Sequence, residues 1–275
     1  MSQELQSISP IRFVTFLSPV LYGTYEYIAR YIGEHLSLPT SLHAGQELAE
    51  FARGQAELGF LCGLLYIQMA KEDACPVELM AAPVLHGERY LGAPLYFSDV
   101  VVRRESSFAS FEDLRGCVWA YNEQASHSGY NVVCYSLLQR GETLDYFRRS
   151  IQTGAHLQSL RLVLDGQADA TALDSHLLDT LLHEQPELAE RLRVVAMLGP
   201  STIPPLVVAK NLDSALKRRV QEILLAMHHD PQAARELSRG RIARFVTISD
   251  KDYNDVRAMF DQVQKQQIIT FSDQV

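Results

Sequence analysis

Strand-like and helix-like segments alternate along the whole chain, and no linker or repeat interrupts them. This pattern is the strongest constraint on the fold, because strands separated by helices pack as an α/β domain whose sheets are mainly parallel. Short β-branched or aromatic runs predict strands at Ile11–Phe16, Leu58–Leu61, Val77–Pro83, Tyr96–Arg103, Cys117–Tyr121, Ala168–Leu173, Leu192–Met197 and Leu206–Ala209. Helical spacing of apolar residues predicts helices at Tyr22–Leu36, Gln46–Arg53, Leu64–Lys71, Gly129–Arg140, His156–Leu164 and His176–His183. From Leu212 onward the sequence reads as helical, over Leu212–His228, Pro231–Ser238 and Tyr253–Gln264. At 275 residues the chain is long enough for two lobes. With no Pro/Gly/Ser-rich linker between halves, the lobes are expected to be joined by strands that cross directly. The expected division is 1–97 and 200–275 in one lobe and 98–199 in the other, with the ligand cleft at the crossing.

Composition removes several classes of function. Apolar residues at 47% and charged residues at 21% are too apolar a mixture for a disordered chain. The formal charge of -8 argues against a nucleic-acid partner, which would call for a basic surplus. No run reaches the roughly 18 apolar residues of a membrane span, so no membrane insertion is expected. Met1–Pro10 is polar and lacks the layout of a secretory leader. Cys62, Cys75, Cys117 and Cys134 form no C-x-x-C pair, so neither a zinc ribbon nor a dithiol redox site is expected. They read as small, mostly buried hydrophobes. Neither a cofactor nor a metal is called for.

The most informative stretch runs from Tyr121 to Tyr130. A strand ends, a polar loop follows, and a helix begins near Gly129 with Ser126 and Ser128 just before it. Free N–H groups and small hydroxyl residues at such a helix start can cradle an anion. The same residues also serve for plain N-capping. His156 follows Thr153-Gly154-Ala155 at a second helix start, where it can donate to an anion or simply cap. Asp174-Ser175-His176 follows the strand Ala168–Leu173 and can line the same cleft. No G-x-S-x-G elbow accompanies it, so a hydrolytic triad is not expected.

Several segments, in order and at compatible spacing over residues 11–258, resemble the phosphate/phosphite/phosphonate-binding proteins of ABC transporters. The first are the strand Tyr96–Arg103, the turn Ser110-Phe111-Glu112-Asp113-Leu114-Arg115-Gly116 and the Ala125–Gly129 loop, which corresponds to the family's Ser-Thr-Ser-Gly. Gly154-Ala155-His156, Asp165–Ala170, Ile203-Pro204 and Asp252-Tyr253 follow, and upstream Arg53–Phe60 with Tyr66 fits as well.

The resemblance implies a type II periplasmic-binding-protein fold, α/β and two-lobed, with a ligand cleft between the lobes. It also implies a periplasmic, non-catalytic solute-binding protein for a phosphonate, phosphite or phosphate, working with an ABC-transporter permease. The absence of a leader in the sequence as given leaves a cytoplasmic location open, and with it a cofactor-biosynthesis enzyme or a ligand sensor on the same fold. An enzyme would have to draw on His127, His156 and Asp174. By resemblance the oxyanion is held by Ser126, His127, Ser128 and Gly129 with His156 opposite, while Tyr66 and Tyr96 line the mouth or the other lobe. His43 falls near a position where relatives carry tyrosine.

Two departures shape the expectations. His127 stands where the family has threonine and, if it points inward, should strengthen binding at acidic pH. Relatives that take aminophosphonates place an acid between Ile-Pro and the next proline. Ile203-Pro204-Pro205 has none, so a ligand amine is expected to add nothing.

Overall fold

The computed structural model describes residues 10–272, with side chains to residue 266. In chain order its elements begin with β1 (Ile11–Thr15), α1 (Tyr22–Leu36), β2 (Thr40–Ala44), α2 (Ala49–Ala52), β3 (Leu58–Phe60), α3 (Gly63–Ala70) and β4 (Val77–Leu85). Next come β5 (Leu95–Arg103), β6 (Val118–Tyr121), α4 (Val132–Leu138), β7 (Arg149–Gln152), α5 (His156–Leu164), β8 (Ala170–Asp174), α6 (Ser175–Glu184), α7 (Leu188–Arg191) and β9 (Leu192–Thr202). The chain closes with β10 (Leu206–Ala209), α8 (Ser214–Ala226), α9 (Pro231–Arg239), β11 (Ile242–Val246) and α10 (Asn254–Ser272).

The strands form two sheets, one ordered β11-β4-β10-β3-β1-β2 and the other β7-β6-β8-β5-β9. Helices cover both faces of each, because side chains alternate across a strand. Phe13 faces one apolar cluster and Val14 another. On β5, Val100 and Val102 face one cluster and Val101 the other, and all three are fully buried.

The expectation of mainly parallel sheets is corrected to mixed ones. β1 pairs in parallel with β2 and β3, and β6 with β7 and β8. β10 lies antiparallel between β3 and β4, and β5 lies antiparallel between β8 and β9. The reason is the crossing itself. A strand that arrives from the other lobe enters its sheet from the cleft end, whereas strands followed by helices run toward that end. β5 and β10 are those arriving strands, so they point the opposite way.

Three strands were not anticipated, namely β2, β7 and β11, and each is the outermost strand of its sheet. An edge strand buries less of its surface, so it carries no continuous apolar run. Every residue of β2 and β7 is exposed or only partly buried. The C-terminal helix also crosses the cleft. Val256 packs with the first lobe's Leu64 and Ile67, while Val263 packs with Tyr130 and Cys134 beside α4. All four cysteines are free thiols, Cys117 and Cys134 buried and Cys62 and Cys75 partly so. Among the described residues no helix is long and apolar enough to cross a membrane.

Candidate functional site

Because β6, β7 and β8 run the same way, their C-terminal ends open on one edge of the second sheet. The polypeptide leaves β6 at Tyr121 and reaches Ser126, whose extended backbone (φ -81, ψ 130) stops the helix from starting earlier. Its Oγ accepts the Gly129 N–H at 3.1 Å, so the hydroxyl proton stays free to donate elsewhere. The helix then opens with a wide turn over His127–Asn131 before settling into α4. Such wide turns accompany functional sites because they redirect side chains. A side chain at Gly129 would put its Cβ 2.0 Å from Asn122 Oδ1, so glycine is what lets Asn122 lie against the helix start.

His156 opens α5 after β7, and its Nε2 lies 3.4 Å from Ser128 Oγ. That distance is at the long limit of a hydrogen bond, so both groups are loosely held. Asp174 ends β8 and caps α6, with Oδ1 accepting the N–H groups of His176 at 2.7 Å and Leu177 at 3.3 Å. Tyr96 comes from the cleft end of β5, and burial pushes its hydroxyl well above the usual tyrosine range. A cavity of about 220 Å³ lies between the sheets, lined by Ser126, Ser128, His156, Tyr96 and Asp174 together.

Three expected residues lie elsewhere. His127 is fully buried and points away from the cavity, with Nε2 3.0 Å from Ser201 Oγ and Nδ1 3.1 Å from Asn131 Nδ2. The amide donates to Nδ1, which leaves the proton on Nε2 for Ser201. Burial pushes its pKa down to about 3, so the ring is neutral and no inward imidazolium strengthens binding in acid. Serines on either side of it face the cavity, and the residue between them therefore faces the core. Tyr66 turns its hydroxyl to Asp250 at 2.8 Å and packs its ring on Tyr253. Gly129 does not line the cavity but makes room for Asn122, as above. His43 sits on the edge strand β2, 2.6 Å from Glu50.

His176 lines the cavity as expected, whereas Asn122, Tyr25 and Cys62 were not singled out from the sequence. Asn122 is buried and its Oδ1 has no hydrogen-bond partner. A polar residue directly after a buried strand was the available signal. Tyr25 and Cys62 reach the cavity from α1 and the start of α3, which only the closing of one lobe on the other brings near.

The cavity holds no lysine or arginine. Burial pushes His156 and His176 down to about 4, so both are neutral near pH 7. Burial pushes the Asp174 carboxyl up to about 7, against the opposing pull of its two N–H partners. Among the described residues no three His, Cys, Asp or Glu side chains are placed to hold a metal ion. The arrangement can therefore hold an anion through neutral donors and helix starts.

A stability prediction follows from Asp174. A carboxyl whose folded pKa is raised costs stability once it ionises, so its contribution is favourable at low pH and is lost as pH rises through about 7. Asp174→Asn keeps the cap and removes the charge. The variant is expected to melt several degrees above the parent at pH 8, with the gap closing as pH falls toward 4. Thermal melts across that range check it, and a variant less stable at pH 8 would refute it.

Residues 13–253 match the family described as ABC transporter, phosphonate, periplasmic substrate-binding protein. Solved structures share the fold at low identity. A binding protein component of an ABC phosphonate transporter from Pseudomonas aeruginosa aligns at 18% identity and TM-score 0.81, covering 94% of this chain and 88% of that one. A methylphosphonate complex from Prochlorococcus marinus aligns at 16% identity and TM-score 0.80, covering 93% and 98%. A protein from Xanthomonas citri bound to ATP aligns at 19% identity and TM-score 0.69, covering 94% and 98%. The architecture is the two-lobed type II fold of periplasmic binding proteins.

Proposed function

Because the chain belongs to the family of periplasmic substrate-binding proteins of phosphonate ABC transporters, we propose that its inter-lobe cavity binds a small phosphorus oxyanion held by Ser126, Ser128 and His156 and delivers it to a permease. The observation that carries this reading is that these three residues come from two successive strand ends and line one cavity. Tyr96 and Asn122 complete the polar side, and Asp174 borders it. The lobes divide at 97/98 and 199/200 and close on the ligand by hinge motion. The periplasm is the working compartment.

Binding rather than catalysis is the role of the site. Among the residues that line the cavity, Ser128 and His156 are the serine and histidine within reach of each other, at 3.4 Å. Yet no carboxylate partners His156 Nδ1, so no acid is in place to stabilise the ring once it takes a proton. Family membership likewise favours this role over the cofactor-biosynthesis enzyme or the sensor.

Titration calorimetry of the purified, ligand-stripped protein tests the reading, with native mass spectrometry of the protein as isolated. Methylphosphonate is expected to bind in the micromolar range or tighter, and sulfate at least tenfold more weakly. No heat with any phosphorus oxyanion would refute the proposal.

A further inference from the structure

The two carboxylates that line the cavity have no cation beside them. Asp174 and Glu123 belong to the lining, and no lysine or arginine does. Glu123 is exposed, so water screens its charge. Asp174 is half-buried and shares the cavity with Ser126, Ser128 and His156. Both of its hydrogen bonds, from the N–H groups of His176 and Leu177, are accepted by Oδ1. Oδ2 therefore has no hydrogen-bond partner among the described residues and is open to a proton.

The groups packed around Asp174 supply no counter-charge. Burial holds Tyr25 of α1, Tyr96 of β5 and Cys62 at the start of α3 above their ordinary pKa values, so all three are neutral. His176 points Nε2 at the Gly240 carbonyl, 2.6 Å away, and like His156 is neutral near pH 7. Asp99 of β5 and Asp179 of α6 add negative charge that pushes the Asp174 carboxyl further up. Arg89 is paired with those two acids, and Arg241 lies near His176, but neither lines the cavity. An anion and an ionised Asp174 would thus repel each other with nothing nearby to offset it. Two groups are placed to take a proton and relieve this. Asp174 titrates at about 7 and His156 at about 4, so near pH 8 the carboxyl is about one pH unit from its proton and the imidazole about four. The carboxyl takes it first, and once protonated it donates to the anion.

Resting on the reading of the site as an oxyanion cradle, we propose that the protein captures its anion together with one proton, which Asp174 Oδ2 takes from the solvent, so that a neutral carboxyl faces the anion beside Ser126, Ser128 and His156. The only bond formed is O–H, and the proton is returned to solvent on release. The sign follows from linkage. A carboxyl whose pKa rises on binding favours the complex at low pH, and the advantage is lost as pH rises through its value in the free protein, about 7.

Calorimetry of methylphosphonate binding to the ligand-stripped protein, run in Tris and in HEPES, counts the protons taken up, because the two buffers differ in ionisation enthalpy. A phosphoryl group itself ionises near this pH range, so the parent is read against Asp174→Asn, which keeps the cap and cannot ionise. At pH 8 the parent is expected to take up about one proton more than the variant, and at pH 5.5 the two should agree. From pH 8 to pH 6 the parent's affinity should rise about tenfold relative to the variant's. Asp174→Ser, also a capping residue without charge, replaces the amide variant should that one not fold. Equal proton uptake by parent and variant at pH 8 overturns the proposal and leaves the cradle standing. So does parent binding of 2-aminoethylphosphonate tenfold tighter than methylphosphonate at pH 8, because Asp174 would then stay ionised opposite an ammonium. Silence toward methylphosphonate at every pH overturns the cradle, and the proposal falls with it.

Discussion

Alanine at both Ser126 and Ser128 is expected to weaken methylphosphonate binding by about a hundredfold or more. Each hydroxyl would donate to a charged acceptor, and such bonds contribute about 1.5–3 kcal/mol each. Losing two therefore corresponds to about 3–6 kcal/mol, and each 1.4 kcal/mol is tenfold in affinity. The Ser126 hydroxyl proton is available because its oxygen accepts from Gly129 rather than donating within the protein. The substitution also removes an N-cap at a cost of about 1 kcal/mol, so circular dichroism must accompany the titration. A folded double variant that kept its affinity within fivefold would refute the cradle. His156→Gln separates the remaining member. If only the serines matter, the cradle stands without the imidazole.

Where the sequence was legible, the reason is burial on both sides. β3 and β10 are continuous runs without a charged or polar side chain, and β5 carries Val100-Val101-Val102, because helices cover both of their faces. The edge strands β2 and β7 carry almost none of that signal. The site was legible for a related reason. Residues directly after inner strands must sit at the cleft, which located Ser126 and Asp174 from the strand ends alone, and His156 from its helix start.

Side-chain direction was not legible. Whether position 127 points to the cavity or the core depends on the wide turn over His127–Asn131 and on a partner 74 residues away, Ser201. Tyr66 lies on α3, a helix that also meets the C-terminal helix, and nothing in its local pattern announces Asp250 and Tyr253 as its neighbours.

The second large effect is on stability. Arg89 lies in the segment between β4 and β5 where the chain first crosses between lobes. Its guanidinium meets Asp99 of β5 at 2.9 Å, Asp179 of α6 at 2.7 Å and the Tyr90 hydroxyl at 2.9 Å. Asp99 is fully buried, so Arg89 is the charge that makes its ionisation tolerable. Removing one partner of a buried pair costs about 3–5 kcal/mol, because the other charge is left without compensation. Arg89→Met is expected to lose about that much at pH 8.

The pH dependence identifies the cause. Burial already holds the Asp99 carboxyl up at about 6 with the guanidinium in place, and without it the carboxyl moves higher. A raised carboxyl contributes stability at low pH that is lost as pH rises through its folded pKa. The gap between parent and variant should therefore be widest at pH 8 and narrower at pH 5, where the variant's Asp99 is protonated. Adding Asp99→Asn to Arg89→Met should recover much of the loss at pH 8. Urea unfolding at both pH values measures all of this. A loss below about 1 kcal/mol, or one equal at the two pH values, would mean that the network does not hold the crossing. The consequence reaches the ligand site through α6, the helix that carries Asp179 and is capped by Asp174. Loosening Arg89 should thus weaken methylphosphonate binding in the folded variant although no atom of Arg89 lines the cavity.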